Sequence, residues 1–549
     1  MKRAYIAAAA AVAAALLPCL AAAQNGAKGR KPRAARREFA GCSGKTISSV
    51  TIKSYNVFER EAERDPKILY WIANRLHRPT HHRVIFQELL FQAGDVCNPA
   101  LLAETERNIR GLSFIRRAKI TATPNRGDGI DVVVESYDSW TLEVIAEASR
   151  VGGYTNYRTG IGEGNLMGQG LAVSAATSRT YGSRNNSFSL RSAALYGRKV
   201  EYSATAVTGG SGSETYRFGV ERPFFASTVR NAFGFDGGVR DALATLYDGD
   251  AIRGLVRRRL IDTGGYYGFS FGRSTSLTRR LKLGARVEQL DYDLDPAAPA
   301  PYTPDSQRFL FLESEGELEQ QDFVKEKQIR KFSKEEDINL GFSLRPKVRW
   351  APASHEFGSR RSQVLPSVRL GKGFEVGDYS LLFLQTDYRA DYRDGGIGDR
   401  SVGTDVTFYS RKFPRQTFAL HGMWDRGWSL SPYSNFSLGE NTGLRGYGTS
   451  RFTGDRRVLF NLEDRIFIAN EILSLIDLGA VVFVDSGYAW PKGSPARLGD
   501  LRSSVGLGLR LAPSRTASNS PVRIDMAYAV KNNGSRSRWS LSIQSGHAF

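Results

Sequence analysis

The stretch WSLSIQSGHAF, residues 539–549, ends the chain. In an extended strand, Trp539, Leu541, Ile543, His547 and Phe549 fall on one face, and Ser540, Ser542 and Gln544 on the other. One apolar face beside one polar face has two readings. A soluble sandwich buries the apolar face, whereas a membrane barrel turns it to lipid and keeps charge in its lumen.

Working back from there, the pattern recurs as far as Trp140. In VRIDMAYAV (residues 522–530), Val522, Ile524, Met526, Tyr528 and Val530 share a face, and Arg523 and Asp525 lie opposite. VEYSATAV (residues 200–207) and TYRFGVE (residues 215–221) alternate in the same way. Gly, Asn, Asp and Ser separate these segments. Alternation alone does not separate sandwich from barrel; the terminal strand helps, although an ordinary strand can also happen to end in Phe. An amphipathic last strand closing on an aromatic is what outer-membrane barrels present to their insertion machinery. We therefore read Trp539, Leu541, Ile543 and Phe549 as such a signal. At about 24–28 residues per strand with its connections, the region holds 14 to 18 strands, an even number being required. Residues 296–336, charged and rich in proline, read as an extended external loop with strand ends.

The other end of the chain fixes the compartment. Met1-Lys2-Arg3, an Ala/Leu-rich run and Ala21–Ala23 have the layout of a secretory signal peptide over residues 1–23. Residues 24–43 follow as a basic disordered linker; residues 27–38 carry six basic side chains and no strand or helix pattern. The net charge is +20, but the export leader argues against a nucleic-acid partner. Two cysteines follow the leader, Cys42 and Cys97, and an even pair in an exported chain reads as a disulfide. His77, His81 and His82 lie between them in HRPTHH, which reads as a polar connection between helices, and no metal site is expected.

Residues 44–138 read as a small α/β domain. Thr46–Tyr55 is strand-like, and Lys67–Leu76 has apolar residues at helical spacing. Val84, Ile85 and Leu89 make a second helical face ending at Gly94-Asp95. Asn98-Pro99 is an N-cap followed by proline at the first helical position, and that helix continues to Leu112. Strands Phe114–Pro124 and Ile130–Tyr137 close the unit around the turn NRGDG.

One loop stands apart. GENTGLRGYGTSRF, residues 439–452, holds four glycines, with Arg445 between Leu444 and Gly446. Glycine at this density marks backbone that turns tightly or is closely approached. The order Leu444-Arg445-Gly446-Tyr447, then Glu463 in NLEDRIF, then Phe483, Asp485 and Gly487 in FVDSG, resembles the BamA/TamA-like outer-membrane assembly superfamily, also called the bacterial surface antigen family. The unit at 44–138 is similar to one of that family's POTRA domains.

The resemblance implies a mainly β chain: a 16-stranded transmembrane antiparallel β-barrel over residues 139–549, preceded by one small α/β POTRA-like periplasmic domain. It places the protein in the outer membrane of a Gram-negative cell. It implies a factor that inserts or exports β-rich client proteins through strand pairing at the seam between first and last strands. The alternatives are a passive pore or structural barrel, or a two-partner-type secretion pore. Leu444, Arg445, Gly446, Tyr447, Glu463, Phe483, Asp485 and Gly487 would form a lumenal loop lock, because a buried guanidinium cannot neutralise itself and needs carboxylates. The implied partners are outer-membrane lipids, unfolded β-rich clients and periplasmic chaperones or accessory proteins. We expect no enzyme, no Gly-x-Ser-x-Gly nucleophile elbow and no cofactor.

Overall fold

A computed structural model describes residues 39–549, apart from 59–69, 72–73, 76, 152–153, 181–182, 193–198, 211–213, 249–250, 273, 295–304, 355–358, 360, 394–395, 432–433, 517–519 and 532–536. The leader, nearly all of the linker and much of the expected helix over Lys67–Leu76 lie outside these residues.

The first unit contains β1 (Ile47–Tyr55), α1 (His82–Phe86), α2 (Pro99–Gly111), β2 (Ile115–Pro124) and β3 (Ile130–Asp138). The sheet order is β1-β3-β2; β1 runs parallel to β3, and β2 antiparallel to it. Ala100 N donates to the Asn98 side chain at 3.0 Å, and Pro99 opens α2. The face bearing Leu102 and Ile109 then packs on Ile47, Ile120, Val132 and Val134. The expected helical face at Val84–Leu89 forms only the five residues of α1; Ile85 is still buried, with Val84 and Leu89 packed beside it. Phe39 and Cys42 also belong to this core, so the packed unit begins before residue 44 and a linker reaching to residue 43 is too long.

Beyond it the chain forms six short strands: β4 (Leu142–Val151), β5 (Tyr154–Glu163), β6 (Leu171–Thr180), β7 (Ser183–Ser192), β8 (Glu201–Gly209) and β9 (Glu214–Arg222). Longer ones follow: β10 (Asn231–Asp248), β11 (Ala251–Phe271), β12 (Leu277–Leu294) and β13 (Gln307–Gln320). A hairpin, β14 (Phe323–Lys327) and β15 (Glu335–Asn339), interrupts the series. Next come β16 (Ser343–Ala351), β17 (Gln363–Val376), β18 (Ser380–Arg393), β19 (Gly396–Ser410) and β20 (Gln416–Trp428). A second hairpin, β21 (Phe436–Leu438) and β22 (Phe452–Gly454), precedes β23 (Arg456–Ile472), β24 (Ile476–Trp490), β25 (Arg502–Pro513), β26 (Val522–Ala529) and β27 (Trp539–Ser545).

Outside the two hairpins these strands close into one antiparallel barrel of 20 strands, β27 returning to β4. The expectation of 16 strands is therefore wrong. It assumed long connections throughout, whereas residues 142–222 alone hold six strands with at most eight residues between neighbours. Side chains alternate as the pleat requires. Val144, Phe218, Phe235, Tyr267 and Leu283 are exposed on the outer surface. Arg217 and Arg286 face the lumen and reach Asp262 at 2.6 and 2.5 Å. Apolar outside, charged inside and closed on itself, the barrel has the form that spans a bilayer.

The N-terminal unit sits at one mouth, called here the near mouth. Tyr70 Oη lies 2.6 Å from Ser474 Oγ, and Trp140 N donates to Arg515 O at 2.8 Å. Ser227 donates twice to the Glu104 carboxylate, at 2.7 and 2.5 Å. The stretch 296–336 is not one external loop. Residues 296–304 lie outside the described residues; from Gln307 the stretch crosses the wall as β13 and then enters the β14–β15 hairpin at the near mouth, because the apolar residues Val324, Ile329, Ile338 and Leu340 find cover there against Leu381, Tyr409 and Ala419.

Candidate functional site

Between β21 and β22 the loop folds into the lumen. A short 3-10 turn at Glu440–Thr442 and left-handed glycines at Gly443 and Gly446 bend it inward. At Gly446 φ is +86°, a conformation that L side chains rarely adopt. Leu444 and Tyr447 are wholly buried against Leu438, Leu459, Ala489 and Ala529. The Tyr447 hydroxyl donates to Ser503 O at 3.0 Å.

Arg445, 3 % exposed, ends among carboxylates. Its Nε and Nη2 donate to the two oxygens of Asp485 at 2.7 and 2.8 Å. Its Nη1 donates to Glu463 Oε1 at 2.8 Å and to Asp525 Oδ2 at 3.4 Å. The Phe483 ring lies under the guanidinium, 3.4 Å from its centroid to Cζ, adding a cation–π contact. The bidentate fork matches the geometry that arginine and carboxylate prefer. Glu463 and Asp485 are fully buried, so each depends on its cation. Gly487 pairs with Leu459 across the sheet, and a Cβ there would lie 2.6 Å from Val458 O.

Five participants were not singled out from the sequence. Asn461 Nδ2 donates to both Asp485 and Gly443 O at 2.7 Å. Arg465 Nε donates to Glu463 at 2.8 Å, and Arg510 Nη1 to Asp525 at 2.5 Å. The inward face of VRIDMAYAV already carried Asp525, but only strand register shows that it meets Arg445. Glu440, in the loop itself, is buried beside Ser542 and Arg523, and that burial pushes its carboxyl up to about 7.

The hairpin β14–β15 connects this network to the N-terminal unit. Arg110 of α2 donates to both oxygens of Asp337 at 2.7 and 2.9 Å, and to Glu106 at 2.8 Å. Lys325 Nζ donates to Glu106 at 3.0 Å, and Lys334 Nζ to Ile115 O at 2.8 Å. At the hairpin apex, Glu336 accepts the backbone N–H groups of Ile329, Arg330 and Lys331 at 3.1, 2.9 and 2.9 Å. Arg465 Nη1 donates to Ile329 O at 2.9 Å, and Thr417 Oγ1 to Gln328 O at 2.8 Å. Charged contacts thus run from α2, through the hairpin, to the carboxylate that Arg445 shares.

At the seam only a short ladder joins β27 to β4: Leu541 with Arg150, Ser542 with Ser149 and Ile543 with Ala148. Among the described residues no strand pairs with residues 142–147 on that side. Trp539 and Leu541 face outward. Phe549 does not share their face. β27 ends at Ser545, the chain turns at Gly546 (φ +86°), and the Phe549 ring stacks on His421 inside the barrel at 5.2 Å. Arg465 Nη2 donates to Phe549 O at 3.3 Å.

Away from the seam, Cys42 and Cys97 are joined by a disulfide across 55 residues. His77 Nε2 lies 3.1 Å from Asp138 Oδ2, and among the described residues no cluster of metal-ligating side chains occurs. The spacing Gly-x-Ser-x-Gly does occur, at Gly268, Ser270 and Gly272, correcting the expectation that it is absent. It lies at the end of an antiparallel strand, with Phe269 and Phe271 exposed on either side of Ser270. A nucleophile elbow is instead a turn from a strand into a helix.

No protein-family profile and no curated protein matches the chain. Among solved structures it is similar to BamA from Haemophilus ducreyi lacking POTRA domains 1–3, at 12% identity over 92% of this chain and 85% of that one, with a TM-score of 0.39. It is similar also to CdiB from Escherichia coli, at 11% identity over 91% and 76%, with a TM-score of 0.46. CdiB from Acinetobacter baumannii gives 13% identity over 91% and 74%, with a TM-score of 0.43.

Proposed function

We propose that this chain is an outer-membrane barrel of the BamA/TamA-like kind, with residues 44–138 acting as a POTRA-like periplasmic domain. Its work is to help β-rich client chains into or across the membrane by pairing with their strands at the seam. The supporting observation is the ladder of only three residue pairs between β27 and β4, which among the described residues leaves the edge of β4 over residues 142–147 without a partner strand. An open edge offers a row of backbone donors and acceptors, and an extended chain adds to it by β-augmentation. The chemistry needs no nucleophile, metal or cofactor. The loop that holds Arg445 against Asp485, Glu463 and Asp525 keeps the wall beside the seam in one geometry. The filled near mouth weighs against a passive pore, since the hairpin β14–β15 stands in the path of a solute.

The test is to close the seam covalently. Ala148 and Ile543 face each other across it, so the pair Ala148→Cys and Ile543→Cys forms a disulfide under oxidation. Outer-membrane protein levels are then compared in oxidised and reduced cells. Loss of a set of barrels on oxidation, restored by reductant, supports insertion at the seam. Loss of one secreted protein points to export. Levels that do not change on locking the seam overturn the reading.

A further inference from the structure

Next to the Arg445 network, β25, β26 and β27 place two arginines face to face. Arg510 pairs in register with Arg523, and Arg523 with Gln544. Both side chains point to the lumen; Arg510 is 1 % exposed and Arg523 9 %. Like charges directly opposite in an antiparallel pair repel one another.

Their hydrogen bonding is incomplete. Arg510 Nη1 donates to Asp525 and to Leu509 O, and Arg523 Nη2 to Gln544. Nε and Nη2 of Arg510, and Nε and Nη1 of Arg523, are buried with no acceptor in hydrogen-bond reach. The turn at Gly546 brings in His547, whose two ring nitrogens are likewise buried and unmet. Buried donors rarely stay unsatisfied, above all on charged groups. The nearby carboxylates are already engaged. Asp525 accepts from Arg510 and Arg445, and Glu463 from Arg445 and Arg465. At 4.0 Å, Arg510 Nη2 to Glu463 and Arg523 Nε to Asp525 are ion pairs too long for hydrogen bonds. Glu440 is the remaining acidic group beside Arg523.

We propose that Arg510, Arg523 and His547 form a binding site for a small oxyanion, a carboxylate or a phosphate, on the lumenal face of β25–β27. Guanidinium forks match such oxygens in pairs of parallel hydrogen bonds. An anion between the two arginines cancels their repulsion and satisfies donors that the protein leaves open. Because Gln544 stands in the same row, a bound anion also steadies the end of β27, next to its short ladder with β4. The site is independent of whether a client passes the seam.

The test uses the full-length protein in detergent, with unfolding followed by heat-modifiable gel mobility. Phosphate, acetate and chloride are compared at equal pH and ionic strength. A ligand that binds only the folded state raises the midpoint in a saturable way. We expect phosphate or acetate to raise it by several degrees over chloride. A response to both marks a general oxyanion site, and a response to phosphate alone marks a tetrahedral one. Arg523→Gln is expected to abolish the effect. If that variant does not fold, His547→Ala replaces it and is expected to weaken apparent affinity about tenfold. Identical midpoints in the three salts overturn the proposal, as does a variant that responds like the wild type.

Discussion

The Arg465 guanidinium donates to the backbone carbonyl of Ile329 at 2.9 Å, joining the apex of an inward-folded hairpin to barrel strand β23. The same side chain bonds Glu463, which Arg445 also holds. One arginine therefore sits between the hairpin that α2 grips and the loop that lies beside the seam.

The grip itself is the first thing to break. Arg110→Ala removes both bonds to Asp337 and leaves that carboxylate and Glu106 with fewer partners. Losing one side of a largely buried ion pair costs about 3–5 kcal/mol. We expect the hairpin to leave the near mouth. Limited proteolysis should then cut within residues 323–339, and conductance in planar bilayers should rise. Cleavage and conductance that match the wild type would falsify the plug.

Arg445→Ala strands Asp485 in the wall and leaves Glu463 with Arg465 as its bonded cation, and the same scale of about 3–5 kcal/mol applies. Arg445→Lys keeps the charge but loses the bidentate fork, so it should recover only part of the stability. The order expected in heat-modifiable unfolding is wild type, then Lys, then Ala. A Lys variant as stable as the wild type would show that charge alone matters.

Docking of the hairpin should depend on pH. Burial, with Lys331, Arg116 and Arg110 nearby, holds the Lys334 ammonium down at about 7 from its usual 10.5. Between those values the undocked form carries the extra proton, so docking strengthens as pH rises from about 7 toward 10.5. Below about 7 the full penalty of a buried charge applies. Spin labels on the hairpin and on α2 report the docked fraction by their separation. In Lys334→Met that fraction should become flat across the window, and a slope that persists would assign the effect elsewhere.

Reduction should loosen the N-terminal unit and leave the barrel intact. The disulfide closes a loop of 55 residues, and a constraint of that length is worth about 4 kcal/mol in the chain-entropy account. Cys42→Ala with Cys97→Ala should raise amide exchange over β1–β3 while heat-modifiable mobility holds. Equal exchange in the two forms would remove the disulfide from the stability of this unit.

Parts of this architecture can be read along the chain and parts cannot. Alternation in Val522–Val530 marks a wall strand, because period two survives wherever one face is apolar. Strand number does not follow from length, since β10 and β11 are about twice as long as β4 to β9. Arg445 stands out because glycines crowd around it, and the pair of carboxylates that resembles a known family lies within bonding distance of it. Asp525 and Arg510 come from strands that meet only through register, which no local pattern encodes. The hairpin strands FVKEK and EEDIN are short and charged, so they look like loop until Ile329 and Ile338 are seen buried beneath Tyr409.

The unequal heights of the barrel wall bear on the membrane itself. β26 has eight residues, β27 seven and β4 ten, whereas β11 has 21. At about 3.3 Å per residue, seven residues reach about 23 Å before tilt, short of a hydrocarbon core of about 30 Å. Lipid beside the seam must then compress while lipid around β11 need not. Thinner host bilayers should favour insertion of this protein in vitro, and insertion yields that ignore acyl-chain length would refute a compressed annulus. A client strand leaving at the seam would meet the bilayer at its thinnest point.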